Sequence, residues 1–158
     1  MNLQIEANGS LVRTRPNYVN WIAILILLTG MRFFMFTQLS SLEMFGGVNP
    51  DAWFAPWISD TILGALVPLV VFLVLRRRGI VVWGMLLVYN AIGAFDYAHG
   101  LLTQWTDPLV PNGMLGTPGL TYGSIGFSLF VQLIVLFLLF QRDVVSYYTQ
   151  TDAQGDLS

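Results

Sequence analysis

The chain has 158 residues, of which 55% are hydrophobic and 10% charged, against roughly 25% charged in an average soluble domain. Seven basic residues, all arginine, and nine acidic ones cannot cover the surface of a soluble globule and offer no basic patch for nucleic acid. With no cysteine and one histidine, disulfides, thiolate chemistry, cysteine-held metals and paired imidazoles are all excluded, which leaves an all-α integral membrane protein.

A bilayer core of about 30 Å takes about 20 apolar residues in a helix. A polar tail, about 1–12, is expected to be mobile and precedes the first such stretch. That stretch predicts a helix over about 18–39, pierced only by Arg32. Its run from Val19 to Met31 has the length of a signal-peptide core, with Arg13 and Arg15 as the basic flank. Phe33 to Phe36 extend it, however, and no small-residue cleavage site follows, so it reads as an uncleaved span. In the apolar loop beyond, Asn49-Pro50-Asp51 reads as a helix cap followed by proline at the first helical position. A short interfacial helix over about 50–55 is the expectation there.

The second span is predicted over about 58–76, with Asp60 near its start and Pro68 inside, where proline should kink it and free a carbonyl. Arg76, Arg77, Arg78 and Gly79 make a tight turn into the third span, about 80–102, which carries Asn90, Asp96 and His99. Pro108, Pro111, Asn112, Gly113, Gly116, Pro118 and Gly119 then mark a loop before the fourth span, about 120–141. A second mobile polar tail is expected over about 149–158. The sum is one integral membrane domain, a four-transmembrane-helix up-down bundle.

Six of the seven arginines fall at the termini or in the turn between the second and third spans, which places both termini in the cytoplasm. A multi-pass protein of the cell membrane follows, with the prokaryotic inner membrane as the expected location. Trp21, Trp83, Tyr147 and Tyr148 would mark the inner interface, and Trp53, Trp57, Trp105 and Tyr122 the outer one.

Depth singles out a set of polar residues. Arg32 lies ~20 Å along its helix and about 10 Å short of the outer boundary, and Asp96 lies ~24 Å along its own and about 6 Å short. Asp60 and His99 fall at the same outer level, so three helices contribute charge to one layer. An unpaired charge at the bilayer centre costs ~2.5–3.5 kcal/mol on the insertion scale. Arg32 is therefore expected to pair with Asp96, with Asp60 as second candidate. The plainer readings are a snorkelling Arg32, a helix-capping Asp60 and an interfacial His99.

Asp96 and His99 are three residues apart, on the face that carries Tyr89, Gly93 and Gly100. Because the two glycines admit a neighbouring helix, that face is expected to point inward. The resulting expectation is an outward-facing polar pocket walled by Tyr89, Tyr97, Trp57, Trp105 and Tyr122. Arg32 would hold an anion in it, and Asp96 and His99 would exchange protons. Asn90 and Gln132 are expected to hydrogen-bond across helices. Gly119 and Gly123, continued by Ser124, Gly126 and Ser128, form a small-residue stripe suited to close packing within the bundle or with a second copy.

Binding or transport of a small molecule or ion is the first function these residues suggest. An accessory subunit of a larger membrane complex is the alternative, and a lipid- or quinone-modifying enzyme using Asp96 and His99 as acid and base comes last. No catalytic set, cofactor or metal site is predicted, since Asp96 and His99 give two ligands where a catalytic zinc takes three.

Overall fold

A computed structural model describes residues 3–5, 11–13, 15–110 and 118–149. Most of both expected tails and the turn residues 111–117 lie outside that set. Near the N-terminus, strands β1 (Leu3–Ile5) and β2 (Leu11–Arg13) pair antiparallel, with Leu3 opposite Arg13.

The body is helical. Its first span comprises α1 (Asn17–Leu28), a 3-10 segment Thr29–Phe34, α2 (Met35–Gln38), a second 3-10 turn Leu39–Ser41 and α3 (Leu42–Phe45). The long helices α4 (Asp51–Arg76), α5 (Ile80–Thr106) and α6 (Pro118–Leu139) follow, then the short α7 (Arg142–Thr149). Four spans, Asn17–Phe45, Asp51–Arg76, Ile80–Thr106 and Pro118–Leu139, are long and apolar enough to cross a bilayer, so the chain is a multi-pass membrane protein. Helix α1 packs on α4 and α6, and α5 packs on the same two, which closes an up-down bundle. The side of the bundle with the termini and the arginine turn is called here the terminus side, and the other the loop side.

Three local features differ from the sequence expectation. The surface helix over about 50–55 is not separate: α4 runs unbroken from Asp51, although Pro56 and Pro68 lie inside it. Pro50 already has helical dihedrals (φ −57°, ψ −32°) and so starts the helix rather than ending one. Trp53 and Trp57, four residues apart and both buried, hold these first turns in place, so packing outweighs the bond lost at Pro56.

The second difference lies in the first span, which tightens at Thr29–Phe34 instead of continuing as one α-helix. A Cβ on Gly64 of α4 would lie 2.5 Å from the Phe33 nitrogen and 2.7 Å from its Cα, so the two backbones touch there. The Thr29 hydroxyl also donates to the Ile26 carbonyl at 2.7 Å, a bond that bends helices. Third, α7 tucks Val144, Tyr147 and Tyr148 under the terminus side, where the sequence suggested only interfacial tyrosines.

Two apolar clusters result. One fills the terminus-side half with Val19, Ile22, Ile26, Val67, Val74, Leu86, Val135, Leu139 and Tyr148 among others. The other, Leu42, Trp53, Trp57 and Leu109, sits at the loop side. Outward, Met31, Phe95, Phe127 and Phe137 are exposed, as a lipid-facing surface requires.

Candidate functional site

Between the two clusters lies the charged layer. The 3-10 segment delivers Arg32 to the interior, with its side chain 1% exposed. Its Nε donates to Asp60 Oδ1 of α4 at 2.7 Å, and its Nη2 donates to Asp96 Oδ2 of α5 at 2.6 Å. Charge-assisted bonds of this length are strong ones. Nε and Nη2 form one edge of the planar fork, so the two carboxylates stand side by side on it. The Tyr97 ring lies under the same guanidinium, 4.2 Å from Cζ to centroid. Asp96 is buried like Arg32, while the side chain of Asp60 is 19% exposed and the most accessible of the three.

On the free edge the polar groups lack partners. Arg32 Nη1, Asn90 Oδ1 and both amide atoms of Gln132 are buried with no hydrogen bond. Gly93 makes room for this group: a Cβ there would meet Gln132 Nε2 at 2.7 Å and Arg32 Nη1 at 3.2 Å. The Asn90 amide donates to Leu86 in its own helix, and so the expected bonds across helices by Asn90 and Gln132 are not formed. Tyr89 is buried and its hydroxyl donates to the Leu63 carbonyl at 2.9 Å, one residue before the carbonyl that Pro68 deprives of a donor.

The remaining expected site residues divide. His99 is exposed on α5, turned away from Asp96, so the proposed acid–base pair is not assembled. A separation of three residues is 300° of helix rotation, and here Gly100, not His99, completes the buried face. Gly100 is in ordinary contact with Ile125 of α6, as expected of a packing glycine. Trp105 is 78% exposed and walls nothing. Trp57 is buried, but in the loop-side cluster beside Trp53. Tyr122 ties α6 to α5 by donating to the Gln104 carbonyl at 3.0 Å. Gly119 and Gly123 are exposed, and a Cβ on Gly123 would meet no described atom within 4 Å, so this part of the stripe is not used for packing among the described residues.

The loop-side cluster covers the layer. Trp53 Nε1 donates to the Asp107 carbonyl at 2.7 Å, and the Val110 amide donates to Phe45 at 3.0 Å, which joins the two connecting segments. Gly47, at φ +76°, lets its turn press on the Pro108 carbonyl, which a Cβ there would strike. Leu109 is buried beneath this junction, its amide donating to Gln104 Oε1 at 3.3 Å.

Sequence reasoning reached Arg32, Asp60 and Asp96 through depth, and Gly93 through its face. The roles of Gln132 and Gly64 were missed, although Gln132 sits at the depth of Gly93 on the facing helix. Arg32 does not stand free to receive an anion, because one edge is taken by two acids. No model of a known family, no curated protein and no solved structure matches the chain.

Proposed function

We propose that this protein binds a small neutral or cationic polar solute at the Arg32–Asp60–Asp96 layer, reached from the loop side, and serves in its transport or sensing. The arginine-rich terminus side would face the cytoplasm and the loop side the exterior. One observation carries this reading, the mismatch between partners. A structural ion pair needs one acid per base, and here two acids share one guanidinium while its opposite edge and Gln132 go unpaired. Buried polar groups without partners are rare, and an ionised carboxylate held from water costs several kcal/mol. A bound solute with both donors and acceptors would satisfy the set. An anion would add to the surplus of negative charge. Entry from the exterior would pass the Leu42–Trp53–Trp57–Leu109 cluster, with Asp60 met first.

The test is thermal unfolding of the protein in lipid nanodiscs against a panel of amino acids, polyols, sugars, ammonium and alkali cations. A supporting result is a solute that raises the midpoint in a concentration-dependent way and loses its effect in Gly93→Ala and Asp96→Asn. A panel with no effect on the unsubstituted protein counts against the proposal.

A second reading rests on a separate observation. A Cβ added at Gly123 or Gly126 of α6 would meet no described atom outside their own turn within 4 Å, although such residues favour close helix contact. Association through this face, with a second copy or a larger complex, would occupy it.

A further inference from the structure

We infer that the layer holds one proton, shared between Asp60 and Asp96, and that this proton exchanges with the loop-side solution. The inference deepens the binding reading above and names the ion that balances the site.

Charge counting is the first argument. With all three groups ionised, Arg32, Asp60 and Asp96 sum to −1 in a region from which water is largely excluded. No other cation among the described residues pairs with them. Among the described residues, the first span contributes Arg32 alone, α4 contributes Asp60, α5 contributes Asp96 with Tyr89 and Tyr97, and α6 contributes the uncharged Gln132 and Ser128. His99 faces outward, and Arg76, Arg77 and Arg78 stand exposed at the opposite end of α4.

Geometry is the second argument. Both carboxylates accept from the same guanidinium edge, at 2.7 and 2.6 Å, which sets them against one another. Two carboxylates sharing one site oppose each other's charged form, and one guanidinium balances only one of them, which leaves room for a proton held between the pair. The proton comes from water, binds an oxygen of one carboxylate and hydrogen-bonds to the other, taking the layer from −1 to neutral. Release to water reverses the step. Asp60, with the greater exposure, is the member through which it passes.

A third observation, independent of the acids, is the unpaired edge at Gly93. Arg32 Nη1 and Gln132 are more than nine-tenths buried, unpartnered and directed at the same point. Water or solute bound there would touch the guanidinium that both acids share, so its arrival alters how tightly the proton is held. Binding at the free edge and protonation of the dyad are then linked, and each changes the affinity of the other by the same factor.

Infrared spectroscopy of the protein in nanodiscs tests this directly. A protonated-carboxyl band at neutral pH that depends on both Asp60 and Asp96 is the signature of the dyad. The expected result is one such band, shifted in heavy water and lost on raising the pH. It should also vanish in Asp60→Asn and in Asp96→Asn, each of which leaves Arg32 with one carboxylate and a neutral partner. Absence of the band from the unsubstituted protein overturns the inference, and that measurement needs no variant to fold. A layer balanced instead by sodium would show no band and a stability rising with sodium at fixed pH, which overturns it equally. A band in a protein that no panel solute stabilises would retain the proton and discard the solute. A stabilising solute without the band would do the opposite.

Discussion

The two halves of the bundle treat polar side chains in opposite ways. At the terminus side three of them close helix ends. The last carbonyls of α4 have no partner within the helix, and Tyr148 donates to Val74 at 3.0 Å while Arg15 donates to Leu75 at 2.7 Å. Trp83 does the same for Leu139 at the end of α6, at 2.9 Å. Each of these carbonyls gains one donor, and the core beneath is apolar. In the middle layer the count fails in both directions, with two acids on one base and four buried atoms of Arg32, Asn90 and Gln132 unbonded. The same residue chemistry is thus structural where donors and acceptors balance and a candidate for function where they do not.

The largest effect that tests this contrast is loss of Arg32. Arg32→Ala would leave two buried carboxylates without their base, and removing one partner of a buried pair costs about 3–5 kcal/mol. Unfolding in mixed micelles should show that loss, whereas Arg77→Ala, at an exposed position of the turn, should stay within about 0.5 kcal/mol. Equal effects at the two sites would erase the distinction between buried and solvated arginine.

Next comes the backbone contact that aims Arg32. Gly64→Ala would drive a methyl group into the Phe33 backbone, which cannot rotate away, and overpacking of this kind costs about 1–3 kcal/mol. Gly93→Ala meets the movable end of Gln132 instead, so it should cost less than Gly64→Ala in the same unfolding measurement. The reverse order would mean that the Gly93 niche, not the α4 contact, fixes the arginine.

What was readable in the sequence follows the same division. Span count and order are set by the solvent, because a bilayer enforces about 20 apolar residues whatever lies alongside, and the four spans are present, the first three longer than the sequence suggested. Arg32, Asp60 and Asp96 were legible because charge in hydrocarbon needs a partner at its own depth. Rotation about each helix axis was not. His99 falls at the level of the layer but faces outward, and depth alone does not distinguish faces. Nor did the sequence disclose the tightened winding at Thr29–Phe34, which depends on Gly64 of another helix. The continuous α4 was hidden for a similar reason, since Pro56 signals a break that the buried Trp53 and Trp57 override.

On the balanced side, Tyr148→Phe removes one hydrogen bond without leaving a charge, and should cost about 1 kcal/mol. Burial pushes the Tyr148 hydroxyl well above its ordinary range, with Tyr147 beside it adding to the shift. A raised value in the folded state means that its contribution is intact below the unfolded value near pH 10 and fades as pH climbs past it. Stability of the unsubstituted protein should therefore fall in strongly alkaline solution more steeply than that of Tyr148→Phe. Parallel pH curves would show that α7 is not docked through this residue.

The smallest effect is expected where the chain touches nothing of its own. Gly123→Ala meets no atom within 4 Å of the added carbon, and alanine favours a helix over glycine by up to about 1 kcal/mol. For the isolated chain the substitution should thus be neutral or mildly stabilising. If the α6 face docks on another copy, the same methyl group would separate two backbones that glycine lets meet, and cysteine-free chemical crosslinking in membranes should yield less dimer. A chain made more stable alone yet less associated would assign the glycine to the interface. Unchanged crosslinking would leave this face of α6 to lipid.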